Sequence, residues 1–443
     1  MDFFINVLRG VLGLVVIIGI ALLFSNNRRM VNWRTVGAGL LLQFILAVFI
    51  LKGAAMGEFF GPLGWPKAFF KWISGFFVLV LEFTIEGAKF IFGDLAVTQS
   101  NDGTFFAFQI LPTIIFFGSL MAILYHLGIM QRVVQGMAWL VRRILGTSGA
   151  ESLSVTANIF VGQTEAPLVV RPYLEKMTYS ELMAVMTGGM ATIAGGVMAA
   201  YIAILGNAVA QAQGVPLAEA QLLFAEQLLG ASLMAAPAAL ALAKVMIPEI
   251  GQPETTGDVR IEVENKTKNV IDAAAYGAGD GLKLALNVGA MLIAFLALIA
   301  MLNYFLAQAG GVFGLDLSME MLLGWTLAPI AWLIGVPWSD AVQFGSLLGT
   351  KVVLNEFVAY LELAKVIGAA EGVTPFVSAK TTVMATFALC GFANFSSIAI
   401  QLGGIGPLAP SRTSELAQLG LRAVLAATLA NMMTATVAGV LAA

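Results

Sequence analysis

Long uncharged apolar stretches alternate with shorter polar segments along the chain. Eight of these stretches approach or exceed the roughly 17 residues that cross ~30 Å of hydrocarbon as an α-helix. They are residues 10–27, 36–51, 104–131, 182–207, 224–247, 284–308, 381–406 and 420–442. Because the apolar runs far exceed the ~10 alternating residues of a barrel strand, the pattern predicts an all-α integral membrane protein with eight transmembrane helices.

Two regions do not fit a simple crossing. Residues 56–98 mix charged residues and tryptophans with Phe-rich runs, which is typical of helices that lie at the membrane interface. Residues 249–268 are polar and rich in turn formers, and we expect them to form a linker between two halves of the chain. Asn265 begins a glycosylation sequon in this linker, but we discount it because the linker is predicted to be cytoplasmic.

Basic residues concentrate in alternate connections between the predicted spans. Lys and Arg accumulate on the cytoplasmic side of membrane proteins. The connections after spans one, three and five and before span eight hold most of them, which predicts that both termini lie outside the cytoplasm. Lys351, Lys365 and Lys380 are exceptions, since this topology places them on the outer side.

Two further segments, residues 148–177 and 338–367, are too polar and too interrupted to cross as plain helices. Each carries a carboxylate near its middle, Glu165 in the first and Glu356 in the second. A charge at bilayer depth costs ~3 kcal/mol or more and is usually tied to function. Glycines and Pro167 break the helix around Glu165, and non-helical backbone at that depth must line a cavity or be buried. We therefore predict two re-entrant hairpins.

The two hairpins belong to a repeated order of features. An Ala-Trp-Leu triplet precedes each carboxylate, beginning 27 residues before Glu165 and 25 residues before Glu356. A span with a small, polar middle follows each hairpin, at residues 191–197 and 391–397, and one more span follows that. The predicted topology inserts the hairpins from opposite sides. Inverted repeats with discontinuous helices are typical of secondary transporters, while a channel with the hairpins as its filter is an alternative.

Composition narrows the function classes. Only 11% of the 443 residues are charged and 59% are hydrophobic, against about 25% and 45–50% in soluble domains. A soluble enzyme, a disordered protein and a nucleic-acid-binding protein are therefore excluded, and the net charge of −3 offers no strong field for nucleic acid.

The chain has one cysteine, Cys390, and one histidine, His126. These counts leave no internal disulfide, and they argue against a zinc site or a histidine-based triad. We expect both residues to serve packing. An intramembrane enzyme would need a nucleophile–base pair or a metal cluster, so we predict no enzyme and no catalytic residues.

If the repeats face each other, their polar groups converge on one site. The converging groups are Gln163, Thr164, Glu165, Glu356, Asn394 and Ser397. This set holds two carboxylates and no cation, which favours a neutral solute with several hydroxyl or amide groups. Val197 and Phe392 add apolar surface for a ring.

Oxygen-bearing side chains near the first hairpin tip indicate a monovalent cation. Asn158, Thr164 and Thr192 have suitable atoms, and a helix break frees backbone carbonyls. Two alternatives remain open. Thr192 is equally suited to bonding its own helix backbone, and Glu165 and Glu356 are able to form structural ion pairs, for example with Lys351.

Three motifs, in order, resemble those of the concentrative nucleoside transporters. Residues 162–168 (GQTEAPL) are similar to their first-hairpin signature. Residues 355–360 (NEFVAY) resemble their second-hairpin motif, and residues 391–398 (GFANFSSI) resemble the motif of their seventh span. Together the motifs and the predicted topology cover nearly the whole chain.

The resemblance implies a homotrimer in which a transport part moves like an elevator against a scaffold. The scaffold would comprise residues 1–131 and span six in 270–316. The transport part would comprise residues 132–247 and 317–443, with the linker in 248–269. The bacterial inner (plasma) membrane is the implied location, with the lipid bilayer, a nucleoside such as uridine, and sodium as partners.

The resemblance also assigns roles to individual residues. The nucleobase would be bound by Gln163, Thr164 and Glu165, with packing from Val197 and Phe392. The ribose would be bound by Glu356, Asn394 and Ser397. Sodium would be bound by the Asn158 and Thr192 side chains, the Thr164 hydroxyl, and the carbonyls of Val161 and Ile193.

Sodium is the expected coupling ion and no other cofactor is implied. Position 192 is Thr where Ser also occurs in sodium-coupled relatives, and both supply a hydroxyl. The alternative is a proton-coupled nucleoside symporter, but such members have Ser-Glu-Asn in place of the Thr-Glu-Ala at residues 164–166 here. The motif therefore favours sodium.

Overall fold

A computed structural model describes residues 2–97, 99–100, 103–255, 267–312, 314–315, 317–370 and 372–442. The described chain is almost entirely helical, as predicted. The one β ladder pairs two-residue strands, β1 (Gln99–Ser100) and β2 (Gly103–Thr104). Most of the predicted linker, including Asn265, lies outside the described residues.

The first half of the chain contains the helices up to the linker. They are α1 (Asp2–Leu23), α2 (Trp33–Ala47), α3 (Gly53–Phe59), α4 (Trp65–Phe92), α5 (Phe106–Gln109), α6 (Leu111–His126), α7 (Ile129–Leu145), α8 (Gly149–Ala157), α9 (Arg171–Leu174), α10 (Tyr179–Ala191), α11 (Gly195–Gln213) and α12 (Leu217–Met246).

The second half begins with the longest helix of the described chain. Its helices are α13 (Val270–Gly311), α14 (Met319–Leu333), α15 (Trp338–Val353), α16 (Glu356–Ile367), α17 (Ala379–Leu389), α18 (Phe395–Ile405) and α19 (Thr413–Leu441). The axes of α14 and α15 are bent by 119° at their connection.

Eight helical stretches in the described residues are long and apolar enough to cross a membrane. Seven of them coincide with predicted spans one to six and eight. The predicted seventh span, 381–406, is instead two 11-residue helices, α17 and α18, which are separated by residues 390–394. The fourth span has a comparable break, at residues 192–194 between α10 and α11.

The remaining long apolar stretch, residues 61–96, falls where we predicted interfacial helices. It contains α4, a single 28-residue helix, whose buried residues lie along one side. Glu82 and Glu86 are exposed, and Lys67 is paired with Glu226 of α12. Length and composition would let α4 cross a membrane, and burial along one side is expected of an interfacial helix and of a spanning helix alike, so the interfacial placement stays a prediction.

The predicted repeat is present in the order of elements. A helix, a hairpin, a broken span and an unbroken span follow one another in α7–α12 and again in α14–α19. The first hairpin is built from α8 and a short 3-10 segment, Ala166–Val170, that leads into α9. The second consists of α15 and α16, which meet at Leu354–Asn355.

Local sequence explains where the first hairpin and the following span begin. Ser148 and Glu151 form a capping box at the start of α8, and Thr178 and Glu181 form another at α10. Lys244, near the end of α12, lies 2.7 Å from Glu151. This buried pair fixes the start of the first hairpin to the end of α12.

Burial divides the helices into two groups. In α12, 94% of the most apolar stretch is buried, whereas in α13 only 11% is buried. The helices predicted to form the transport part thus make the core of the described chain. The helices of the predicted scaffold expose most of their apolar surface, as expected of helices that face lipid or other subunits.

Candidate functional site

The tip of the first hairpin and the breaks of two spans meet at one place. The Gly195 amide donates to the Phe160 carbonyl (3.0 Å), which joins the hairpin tip to the break between α10 and α11. The Phe392 amide donates to the Thr192 carbonyl (3.3 Å), which joins that break to the one between α17 and α18. The discontinuous segments of both repeats therefore form one non-helical layer.

Gly391 permits this close approach. Its φ is +138°, a conformation that favours glycine. A Cβ at this position would meet the Ala191 carbonyl oxygen and the Asn431 amide oxygen. The glycine at the second break is thus required by the first break lying directly against it.

Glu356 is the first residue of α16 and is buried. Its carboxylate accepts hydrogen bonds from the Tyr201 hydroxyl (3.0 Å) and from Nδ2 of Asn394 (2.8 Å). Asn394 caps α18, because its Oδ1 accepts from the Ser397 amide (2.9 Å). The structure therefore brings together all three residues that the resemblance assigns to the ribose.

Gln163, at the tip of the first hairpin, reaches into the second repeat. Its Nε2 donates to Oγ of Ser397 (3.0 Å), and its Oε1 accepts from Nε2 of Gln401 (3.1 Å). Gln401 also donates to the Met186 carbonyl of α10 (3.0 Å). The predicted nucleobase and ribose groups are consequently adjacent through Gln163 and Ser397.

Thr164 and Glu165 differ from the other polar residues in their surroundings. Thr164 is half-buried and packs against Gly404, where a Cβ would meet the threonine side chain. Glu165 is exposed, and its carboxylate lies over Gly162. Of the two carboxylates singled out in the sequence, one is buried and hydrogen-bonded, while the other faces open space.

Apolar and aromatic groups flank the polar set. Val197 is buried and Phe392 is half-buried, so the Phe392 ring retains an accessible face. Behind Glu356, the Tyr201 ring lies 4.4 Å from that of Tyr360 and 5.1 Å from that of Phe357, measured between centroids. These rings hold the Tyr201 hydroxyl in place toward the carboxylate.

The proposed cation ligands lie around the same layer. Asn158 caps the end of α8, where its Nδ2 donates to the Ser154 carbonyl (3.1 Å). Its Oδ1 is buried, and no donor among the described residues reaches it. Such an atom is costly unless an ion or water binds it, and a neutral amide oxygen suits a monovalent cation.

The other predicted cation ligands have fitting positions. Thr192 donates its hydroxyl to the Gly188 carbonyl (2.9 Å), so it does bond the backbone of its own helix, which was one of the two alternatives. The hydroxyl oxygen still has lone pairs for a cation. Val161 and Ile193 lie in non-helical backbone at the hairpin tip and at the break, where carbonyls are freed from helical bonding.

The other alternative, an ion pair between Glu356 and Lys351, is not observed. The Lys351 amino group bonds Oδ1 of Asn431 and the Ala388 carbonyl instead. Cys390 is buried, as expected of a packing residue. His126 is half-buried, and its Nδ1 lies 2.7 Å from the Thr267 hydroxyl.

Sequence reasoning missed two residues that hold the site together, Tyr201 and Gln401. Each lies four positions after a residue predicted to bind the nucleoside, on the same helix. Tyr201 follows Val197, and Gln401 follows Ser397. Residues four apart share one helix face. Extending the helices by one turn from the predicted ligands would therefore have found both.

Three successive parts of the chain match families of nucleoside transporters or nucleoside recognition. Residues 12–95 match the Na+ dependent nucleoside transporter N-terminus, and residues 227–439 match the C-terminus of the same family. Residues 107–208 match a nucleoside recognition family named Gate.

Several curated proteins are similar over nearly the full chain. An uncharacterised transporter, YutK, of Bacillus subtilis is 47% identical over 98% of this chain and 99% of its own. The nucleoside permease NupC of Helicobacter pylori is 40% identical, over 97% and 96%. The mouse sodium/nucleoside cotransporter 1 is also 40% identical over 94% of this chain, which spans 61% of that longer protein.

Solved structures of a protein called CNTnw have the same fold. Its inward-facing substrate-bound state superposes with a TM-score of 0.86 at 43% identity, covering 99% of this chain and 98% of that one. A doubly substituted variant in an outward-facing state gives a TM-score of 0.87 at 43% identity, over 99% and 98%.

Proposed function

The chain belongs to the concentrative nucleoside transporter family and is a multi-pass membrane transporter of nucleosides, not an enzyme, and we propose that it is a symporter driven by a sodium gradient. In this proposal it imports nucleosides such as uridine across the bacterial inner membrane. Sodium is a co-transported substrate rather than a resident cofactor.

One observation carries the substrate assignment, namely the hydrogen bond between Gln163 and Ser397 (3.0 Å). It joins the amide proposed to bind the base to the hydroxyl proposed to bind the sugar. These polar groups bond one another within the chain. A nucleoside presents matching donors and acceptors on its base and ribose, so it can replace these internal bonds without leaving polar groups unpaired.

The remaining proposed contacts follow from chemistry. The buried Glu356 carboxylate is an acceptor for adjacent ribose hydroxyls, and Asn394 and Ser397 complete that side. Gln163, Thr164 and Glu165 bind the base, since an amide can pair with both a donor and an acceptor on a planar heterocycle. Val197 and the half-exposed Phe392 ring pack against the base.

Sodium coupling rests on the unpaired Oδ1 of Asn158. A cation held by this atom, the Thr164 and Thr192 hydroxyls and the carbonyls of Val161 and Ile193 would join the hairpin tip to the break after α10. Gln163 and Thr164 lie on that tip. Sodium would therefore order the residues that receive the base, and each ligand would raise the affinity for the other.

The proposed movement and assembly follow the burial pattern. The well-buried helices α10–α12 and α17–α19, together with the two hairpins, would move as a transport part. The scaffold in residues 1–131 and 270–316 would stay fixed and form a homotrimer. The 42-residue α13, with 11% of its apolar stretch buried in the protomer, offers surface for such contacts.

Equilibrium binding tests this proposal. Purified protein is titrated with uridine, cytidine, adenosine and inosine in sodium and in choline buffers. We expect saturable binding of at least one nucleoside that is tighter in sodium. Binding that is equal in both buffers would remove the sodium assignment, and the absence of nucleoside binding in either buffer would remove the substrate assignment.

A further inference from the structure

Lys351, near the end of α15 in the second hairpin, is completely buried. Its Nζ donates to Oδ1 of Asn431 (2.6 Å) and to the Ala388 carbonyl (2.9 Å). Asn431 in turn donates through Nδ2 to the Ala191 carbonyl (2.7 Å). One lysine thus connects the second hairpin, directly or through Asn431, to the last turns of both α17 and α10.

These carbonyls lie at helix C-termini. Ala388 is the second-last residue of α17 and Ala191 is the last residue of α10. Partial negative charge collects at such ends, and a cation there is stabilising. None of the ion pairs in the described residues involves Lys351. Its hydrogen-bond acceptors are an amide oxygen and a backbone carbonyl oxygen, both neutral. Neutral oxygens of this kind also bind sodium ions.

The sequence repeat gives a second reason to compare Lys351 with a bound cation. The tryptophans of the two Ala-Trp-Leu triplets occupy corresponding helices, α7 and α14, and each ring lies near an arginine. Arg143 is 5.6 Å from the centroid of Trp139, and Arg9 is 5.4 Å from that of Trp332. When the triplets are aligned, the residue 19 positions after the first tryptophan is Asn158 and the residue 19 positions after the second is Lys351.

We propose that Lys351 is a tethered cation that serves the second repeat where a sodium ion serves the first. Asn158, at the end of the first hairpin arm, offers an unpaired oxygen two residues before Phe160, whose carbonyl bonds Gly195 at the break after α10. At the position that the triplet alignment pairs with Asn158, near the end of the first arm of the second hairpin, Lys351 brings its own amino group to the Ala388 carbonyl before the break after α17. The cation of one repeat arrives from solution, and that of the other is part of the chain.

The role assigned to Lys351 is positioning, because its amino group bonds Asn431 and Ala388, which are not among the residues proposed to bind nucleoside or sodium. Its effect passes through Asn431 to Ala191, the neighbour of Thr192, and through Ala388 to the break that carries Phe392 and Asn394. The inference rests on the proposed function for the identity of the ligands. It predicts that loss of the Lys351 charge loosens both breaks and weakens nucleoside and sodium binding together.

The test compares three substitutions of Lys351 in the full-length protein. Lys351→Met removes the charge and the donors at similar length, Lys351→Gln keeps a donor without the charge, and Lys351→Arg keeps the charge. Lys365→Met is the matched control, because Lys365 lies in the same hairpin but its side chain is 53% exposed and pairs with Glu362. Elution volume and melting temperature in detergent establish that each variant is folded.

We measure the Kd of a nucleoside in saturating sodium and the half-saturating sodium concentration. For both Met and Gln we expect about a tenfold loss of nucleoside affinity, as for a charged hydrogen bond, together with a higher half-saturating sodium concentration. Arg should recover most of the affinity, and the Lys365 control should match the wild type. If Lys351→Met does not fold, the difference in nucleoside Kd between Lys351→Gln and Lys351→Arg tests the role of the charge.

Three outcomes overturn the proposal. They are a nucleoside Kd within twofold of the wild type for a folded Met or Gln variant, full recovery by Gln, and an unchanged sodium requirement despite weaker nucleoside binding. Failure of the proposed coupling has a different signature. The wild type itself would then bind nucleoside equally with and without sodium, and the Kd values of the Met, Gln and Arg variants would still decide the role of Lys351.

Discussion

Gln163 donates its side-chain amide to the hydroxyl of Ser397 across 3.0 Å, although the two residues are 234 positions apart in the sequence. The bond crosses from the first repeat to the second at the layer where the helices of both repeats are broken. Its two partners are the residues proposed to face the base and the sugar of a nucleoside. Occupation of the site by substrate should therefore exchange this bond for bonds to the ligand.

Glu356→Gln should abolish uptake of nucleosides. The carboxylate accepts from both Tyr201 and Asn394, whereas an amide would turn a donor toward one of these donors and lose the acceptor for ribose hydroxyls. We expect a loss of about 100-fold in nucleoside affinity, measured by equilibrium binding. Glu362→Gln, on the same helix but partly exposed, is the control. Wild-type transport by Glu356→Gln would rule out the proposed ribose contact.

Tyr201→Phe tests a residue that sequence reasoning did not identify. The substitution removes one hydroxyl that donates to Glu356 and keeps the ring against Tyr360 and Phe357. We expect KM for the nucleoside to rise about tenfold, because the carboxylate loses a fixed donor. Tyr304→Phe, on the exposed surface of α13, should change nothing. An unaltered KM in Tyr201→Phe would show that the carboxylate is positioned by other groups.

Asn158→Leu should weaken sodium activation. Leucine has the same branching and number of side-chain heavy atoms but lacks the buried Oδ1 that no described residue satisfies. The half-saturating sodium concentration for uptake should increase at least about tenfold. Asn207→Leu, at a half-buried position of α11, should leave it unchanged. A wild-type sodium dependence in Asn158→Leu would place the coupling ion elsewhere.

Lys244→Met should destabilise the fold. Lys244 lies 2.7 Å from the buried Glu151 and 3.1 Å from Glu249. Removing one member of a buried pair leaves a buried charge and costs about 3–5 kcal/mol, which should lower the melting temperature in detergent. Lys176→Met breaks an exposed pair with Glu254 and should cost less than about 1 kcal/mol. Equal melting temperatures for the two variants would contradict this assignment.

Much of the architecture follows from apolar runs and their interruptions. Continuous spans such as α12 and α13 are visible because their residues are uncharged over a membrane-spanning length. The hairpins were predictable for the opposite reason, since Glu165 and Glu356 interrupt runs that would otherwise be continuous. The small, polar middle of the seventh span was noted, but its division into α17 and α18 was not predicted, because residues 390–394 carry no charge that would interrupt the run.

The sequence predicts which residues belong to the site, but not which of them contact one another. Motifs pointed to Gln163 and Ser397 independently, while only packing shows that they share a hydrogen bond. In the sequence, Lys351 is an exception to the charge pattern of loops and a candidate ion-pair partner for Glu356. Its amino group is instead buried against Asn431 and Ala388, so it is not a loop charge at all, and sequence position alone does not reveal a tertiary partner 80 residues away.

The most direct test of sodium-driven nucleoside import is uptake of labelled uridine into proteoliposomes under imposed gradients. An inward sodium gradient at equal pH should drive accumulation above the external concentration, and a proton gradient without sodium should not. Accumulation driven by the proton gradient alone would contradict the account and favour the proton-coupled alternative.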